Sequence, residues 1–287
     1  MECPEENTKK PQTGGNNYGL SEAAGGKSIL PAPPALAAVP DRQNFFIGWQ
    51  DAARRIGRLR QGWPVLLPSH CLLCGVRSPA QILCPDCRDD LPALAPAHCP
   101  LCLESTSYGE RCGRCLTEPP GFDGVFATYA YDFPLDKLIH AFKYGQQLAL
   151  AGWFAAQLAD LLAPRQAEHG WTTLIPLPLH RRRLAERGFN QALEIARPLG
   201  KRLHIPCDAN GLTRIRAGAP QASLPLKERL RHLRGAFACQ RDYRQQRVLL
   251  LDDVLTSGST ANECARVLKQ RGAASVHVAV IARALRD

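Results

Sequence analysis

The stretch Val248-Leu249-Leu250-Leu251-Asp252-Asp253-Val254-Leu255-Thr256-Ser257-Gly258-Ser259-Thr260 decides how this chain is read. Four aliphatic residues in a row suit a strand buried on both faces, as in a parallel sheet covered by helices. Two carboxylates follow at the C-terminal end of that strand, the edge where open α/β sheets bind ligands. A run of small, hydroxylated residues then enters a helix expected over 260–271 and ended by Gly272. Backbone amides at such a helix start face one anion, the helix dipole favours it, and Gly258 permits a close backbone turn. Thr256, Ser257, Ser259 and Thr260 add hydroxyl donors without bulk. The loop lacks the lysine of a P-loop, which argues against a nucleoside-triphosphatase. Carboxylates accept hydrogen bonds from vicinal sugar hydroxyls, so Asp252 and Asp253 beside this loop describe a receptor for ribose 5-phosphate.

Strand and helix signals alternate on the N-terminal side of this segment. A strand or strand pair is expected over 122–131 and a helix opened by Pro134 through Phe142. An apolar helix over 148–162, stopped by Pro164, and a short strand over 172–177 follow. A helix is expected over 190–203 with Pro198 in its middle, then a loop over 211–225 and a short basic helix over 226–234. A last strand covers 275–281. Such alternation implies parallel strands joined by right-handed crossovers, the α/β class.

Cysteines dominate the segment before it. Cys71, Cys74, Cys84 and Cys87 form two Cys-x-x-Cys pairs, and each recurs 28 positions later at Cys99, Cys102, Cys112 and Cys115. Each pair forms a knuckle that turns two thiolates toward one tetrahedral ion, so two copies give two structural zinc sites with closed four-cysteine shells. The simplest pairing joins 71/74 with 84/87 and 99/102 with 112/115; an interleaved pairing satisfies the same count. Leu72, Leu73, Ile82, Leu83, Leu91 and Leu94 are too thin a core for this segment, so metal supplies folding energy. His70 and His98 are surplus to the shells, and Cys3, Cys207, Cys239 and Cys264 lack partner spacing.

The chain has 287 residues and a formal charge of +10. Between Arg181 and Arg247 stand 16 Lys/Arg against 5 Asp/Glu, so one stretch carries more than the whole surplus and should meet anions. No apolar run is long enough to span a bilayer, and the start lacks a basic segment followed by an apolar one, so a cytoplasmic location is expected. Residues 1–66 read as a low-complexity leader with a short helix over 45–59, residues 67–118 as a double zinc ribbon and residues 121–287 as the α/β domain.

The aliphatic strand, acid pair and Thr-x-Gly-x-Thr loop resemble the phosphoribosyl pyrophosphate (PRPP) motif of type I phosphoribosyltransferases. With the upstream knuckles, Phe142-Lys143-Tyr144-Gly145, the run from Ile175 to Ala192, and Arg229 through Phe237, the chain from about Pro68 to Arg283 is similar to the ComF/GntX family of competence-associated proteins. The resemblance implies a type I phosphoribosyltransferase-like sheet behind a double zinc ribbon, with magnesium accompanying PRPP. It makes Asp252 and Asp253 the ribose-binding acids and Thr256, Ser257, Gly258, Ser259 and Thr260 the 5-phosphate loop. It puts the pyrophosphate grip at Leu179, His180 and Arg181, with Arg182, Arg183, Arg187 and Lys143 as further basic candidates. Residues 211–234, with Arg214, Arg216, Gln221 and Arg229, resemble the mobile hood that closes over substrate. His232 stands where the family's Glu-Arg-x-x-Asn run has asparagine.

Two functions satisfy these features. One is a phosphoribosyltransferase-family protein that uses PRPP in DNA uptake, natural transformation or DNA utilisation, its acceptor unnamed by the sequence. The other is a non-catalytic competence factor that binds single-stranded DNA among competence and DNA-processing proteins, the PRPP site being kept as sensor or scaffold. For base stacking in the second, Phe189, Phe237 and Tyr243 are the aromatic candidates beside the basic stretch.

Overall fold

A computed structural model of the protein describes residues 70–79, 81–216 and 233–285, all within one unit that begins at Leu59. The leader with its expected helix, the basic helix over most of its length, and Gln221, Arg229 and His232 lie outside the described residues.

Four parallel strands form the central sheet. They are β1 (Gly124–Ala130), β2 (Thr173–Pro176), β5 (Arg247–Leu255) and β6 (Ser275–Arg283), in the order β1-β6-β5-β2. A two-stranded antiparallel ribbon joins β3 (Thr213–Arg214) to β4 (Phe237–Ala238). β5 lies in the middle because it is aliphatic on both faces: Leu249 and Leu251 pack into one cluster, Val248 and Leu250 into another, and all four are fully buried. Each such side chain contributes about 1.5–3 kcal/mol of burial. β5 also continues through the acid pair to Leu255, four residues beyond the aliphatic run, because β6 supplies ladder partners for Asp252, Val254 and Leu255.

Seven helices are described. α1 (Pro85–Asp89) and α2 (Gly113–Thr117) belong to the cysteine-rich segment; α3 (Leu135–Tyr144), α4 (Ala149–His169), α5 (Arg181–Arg187), α6 (Gln191–Leu203) and α7 (Ser259–Gln270) accompany the sheet. The first strand is single rather than a pair. α4 is not stopped by Pro164: it runs on to His169. Pro164 is exposed, so its missing N–H costs no buried partner, and the Arg165 guanidinium donates to the Leu161 carbonyl. The far end is fastened by His169, whose ring packs beside Trp171, Phe126 and His277. Gly170 in the left-handed conformation then closes the helix. Pro198 likewise sits inside α6 without breaking it. The basic cluster after Pro178 forms a helix, α5: the His180 side chain accepts from the Arg182 amide, and left-handed Gly188 ends it.

The cysteine frame repeats as structure. In the first copy His70 bridges Arg77 and Cys84 caps α1; in the second His98 bridges Ser105 and Cys112 caps α2. The first copy packs with α3 and α4 through Leu83 and Leu91; the second joins the opposite cluster with Cys264 and Leu268 of α7. Among the described residues no helix is long and apolar enough to cross a membrane.

Candidate functional site: a cleft at the carboxyl ends of the strands

Side chains alternate along a strand, so neighbouring acids on β5 face opposite sides of the sheet. Asp253 follows the parity of Leu249 and Leu251 toward α3, where its Oδ2 receives Lys143 Nζ at 2.8 Å. Asp252 follows Val248 and Leu250 toward α7, and its Oδ1 accepts the Asp253 amide at 2.9 Å. Burial first, and then the charge of Asp253, pushes the Asp252 carboxyl up to about 7.

Asp252 lines a cavity of about 150 Å³ together with Thr256, Ser257, Gly258, Ser259 and Thr260. Asp253 does not line it. Gly258 holds φ +74° at the start of α7, the left-handed geometry that glycine adopts without strain. The Ser257 and Ser259 hydroxyls are 2.8 Å apart, and Ser257 Oγ accepts the Ser259 amide at 3.4 Å. Among the described residues, no side-chain acceptor meets the amides of Thr256, Ser257, Gly258 or Thr260.

The basic residues divide. Lys143, Arg183 and Arg187 line a second cavity of about 420 Å³ with Tyr144, Gln146, Glu186 and Phe189. Arg182 turns to Glu186 at 2.9 Å, the i,i+4 pair of an exposed helix face. Arg181 is exposed, Leu179 and His180 precede the helix, and His180 is occupied by its capping role. Of the residues expected in a hood, Arg214 lies over the Phe237 ring, 5.4 Å from the centroid. Its guanidinium is shifted down, mainly by burial and then by Arg183, with Asp252 pulling the other way. Its Nε donates to the Arg216 carbonyl at 3.3 Å. Glu263 of α7 accepts the Gly235 amide at 2.8 Å.

Two of the aromatic candidates are not surface groups. Phe237 is 4% and Tyr243 3% exposed; each packs into the core, and Phe189 meets Phe142 at a tilted angle, ring centroids 5.7 Å apart. The exposed ring beside the basic helix is Tyr144, 63% accessible, with the Arg187 guanidinium 5.0 Å above it. Its place in the Phe-Lys-Tyr-Gly motif was the available signal.

Two arginines that the sequence reading left without a role reach the loop from behind. Arg283, the last residue of β6 and 1% exposed, donates through Nη1 to the carbonyls of Thr256 at 2.6 Å and Leu255 at 3.1 Å. Its Nε donates to the Cys102 carbonyl at 2.8 Å and its Nη2 to Glu104 at 2.6 Å. Arg114 of α2 donates to the Ser257 carbonyl at 2.9 Å. An arginine ending an otherwise apolar strand is a sequence signal for such a buried anchor.

The eight cysteines gather as two sets, 71/74/84/87 and 99/102/112/115, with every sulfur of a set within 4.8 Å of the others. Cys74 and Cys84 sulfurs are 3.7 Å apart, Cys102 and Cys112 3.6 Å. A tetrahedron with Zn–S bonds of about 2.3 Å has edges of about 3.8 Å, so the donor sets fit zinc. Burial opposes ionisation of Cys71, but amides from the Cys74, Cys84 and Leu73 backbone outweigh it and bring the thiol to about 6. Cys87 is driven up instead, first by its hydrogen bond with Cys74, as expected of thiols crowded around one charge.

A family model described as a double zinc ribbon domain matches residues 63–116, and one described as a phosphoribosyl transferase domain matches residues 192–287. The DNA utilization protein YhgH of Escherichia coli K12 is 34% identical over 227 residues, covering 75% of this chain and 92% of that protein. Competence protein F of Haemophilus influenzae is 34% identical over 187 residues, 62% of this chain and 80% of its own. A purine phosphoribosyltransferase from Pyrococcus horikoshii aligns with 46% of this chain and 73% of its own at 21% identity and a TM-score of 0.28.

Proposed function

The chain belongs to the ComF family, with a double zinc ribbon and a type I phosphoribosyltransferase domain, and on that premise we propose that it binds PRPP and serves DNA uptake or utilisation in the cytoplasm. The observation that carries the reading is the cavity in which Asp252 faces the Thr256–Thr260 loop, where the amides of Thr256, Ser257, Gly258 and Thr260 meet no side-chain acceptor among the described residues. The amides and the hydroxyls of Thr256, Ser257, Ser259 and Thr260 receive the 5-phosphate, whose three charged oxygens need several donors in one place. Asp252, once ionised, accepts the ribose hydroxyls. Asp253 holds Lys143 at the mouth of the basic cavity, where Lys143, Arg183 and Arg187 neutralise pyrophosphate.

Displacement at the anomeric carbon builds positive charge on the ribose as pyrophosphate departs. This chain's residues fix both phosphate ends and place the ionised Asp252 beside the ribose. Asp252 is an oxygen donor of the type magnesium takes, and the ion bound with PRPP would help neutralise the leaving group.

A second reading has its own support. Arg181, Arg182 and Arg183 lie on the exposed helix α5, and Arg187 overlies the exposed Tyr144 ring. Arginines for phosphates and a ring for a base suit single-stranded DNA. In this form the PRPP site is a sensor or scaffold, and competence or DNA-processing proteins are the partners.

Calorimetric titration of the whole protein with PRPP and magnesium tests the first reading. Saturable binding that is lost in Asp252→Asn/Asp253→Asn supports it; binding unchanged by that substitution overturns the site. Pyrophosphate release in the presence of candidate acceptors then separates a transferase from a sensor.

A further inference from the structure

The second zinc ribbon reaches across to the back of the phosphate loop, and we infer that Arg114 and Arg283 are positioning residues that aim the loop's amides at the ligand. The inference rests on the reading of residues 256–260 as a phosphate seat.

In a trans peptide the C=O and the following N–H point in opposite directions. Arg283 holds the carbonyls of Leu255 and Thr256, and Arg114 holds that of Ser257. Three successive carbonyls fixed toward two guanidinium groups leave the amides of Thr256, Ser257 and Gly258 directed away from them. The cavity shared with Asp252 is formed by this same backbone. On its other side Arg114 lines a separate cavity of about 110 Å³ with Ser257, Gly258 and Ser259. The loop is thus a layer between two arginines behind and an anion site in front.

The arginines themselves are fixed by the ribbon. Arg283 is buried, with Nε on the Cys102 carbonyl and Nη2 on Glu104; both residues lie in the second ribbon. Arg114 stands one residue before Cys115 on α2, whose cap is Cys112. Thus Cys102 and Glu104 of the second ribbon hold Arg283, and Arg114 is itself a residue of that ribbon, between Cys112 and Cys115. The first set packs against α3 and α4 and has no such link among the described residues. The charge of Arg114 behind the loop also raises the potential felt by a phosphate before it, while that of Arg283 is balanced by Glu104.

The test compares ligands that carry different ends of PRPP. Arg114→Gln and Arg114→Lys in the full chain are titrated with ribose 5-phosphate and with inorganic pyrophosphate, each with magnesium. Zinc content and the thermal midpoint are read in parallel. Arg114→Gln should weaken ribose 5-phosphate by about tenfold, leave pyrophosphate unchanged, and keep the wild-type zinc content. Arg114→Lys, which keeps a charged donor for the Ser257 carbonyl, should recover part of the loss. Equal loss of both ligands, or no loss of either, overturns the positioning role and leaves the phosphate-seat reading standing. A wild-type protein that binds pyrophosphate but no ribose 5-phosphate overturns both.

Discussion

Lys143 Nζ lies 2.8 Å from Asp253 Oδ2, joining the end of α3 to the central strand of the sheet. One strand position away, Asp252 instead lines a cavity with the loop of residues 256–260. The acid pair is therefore two devices: one carboxylate lines the cavity of the 256–260 loop, and the other fixes a lysine that lines the basic cavity.

Removing that cation leaves a carboxylate only 8% exposed without its partner. Lys143→Met should lower stability by about 3 kcal/mol. Adding Asp253→Asn should return part of it, because the uncompensated charge is then gone. Urea unfolding of the four proteins of this cycle measures the coupling; strictly additive losses would show that the pair is not coupled.

The folded-state carboxyl of Asp252 titrates near 7 rather than at its ordinary 3.8. Between those values the folded protein holds a proton that the unfolded chain has released, so this group's stabilisation is full below 3.8 and is lost as pH rises through about 7. Asp252→Asn should flatten that part of the stability profile. In the same window PRPP affinity should rise with pH in the wild type, as the acceptor carboxylate forms. Urea midpoints and titrations from pH 5 to about 8 give both curves, and an unchanged stability slope in the variant would place the titration elsewhere.

Arg183 lines the basic cavity with Lys143, whereas Arg181 is exposed beside it. Arg183→Ala should weaken pyrophosphate by about tenfold, the scale of one charge-assisted hydrogen bond. Arg181→Ala should leave it nearly unchanged. The opposite ranking in a pyrophosphate titration would move the grip to the start of α5.

Two closed four-thiolate shells call for about two zinc ions per chain, which elemental analysis of the purified protein counts. Chelation should release them with a loss of folded structure in the ribbon segment, since its apolar core is small. Stability unaffected by chelation would assign the folding energy to packing instead.

The sheet and its central segment were readable because β5 needs apolar residues on both faces and the loop needs small ones. The 28-residue cysteine repeat likewise reappears as paired bridges and caps. The α4 helix was underestimated because Pro164 signals a stop, and only its exposure and the aromatic anchor at His169 reverse that. The same limit hid the division of the acid pair: adjacent carboxylates look equivalent in a sequence until a strand is known to continue through them. Arg283 and Arg114 carry no local signal of their target: Arg114 meets Ser257 143 residues away, and Arg283 joins Cys102, 181 residues away, to Thr256, 27 residues away.

A crystal structure of the whole protein grown with PRPP and magnesium is the most direct measurement of the central claim. The 5-phosphate is expected within hydrogen-bonding reach of the amides from Ser257 to Thr260, with the ribose hydroxyls at Asp252. A phosphoribosyl group found elsewhere, with those amides facing only solvent, would contradict it.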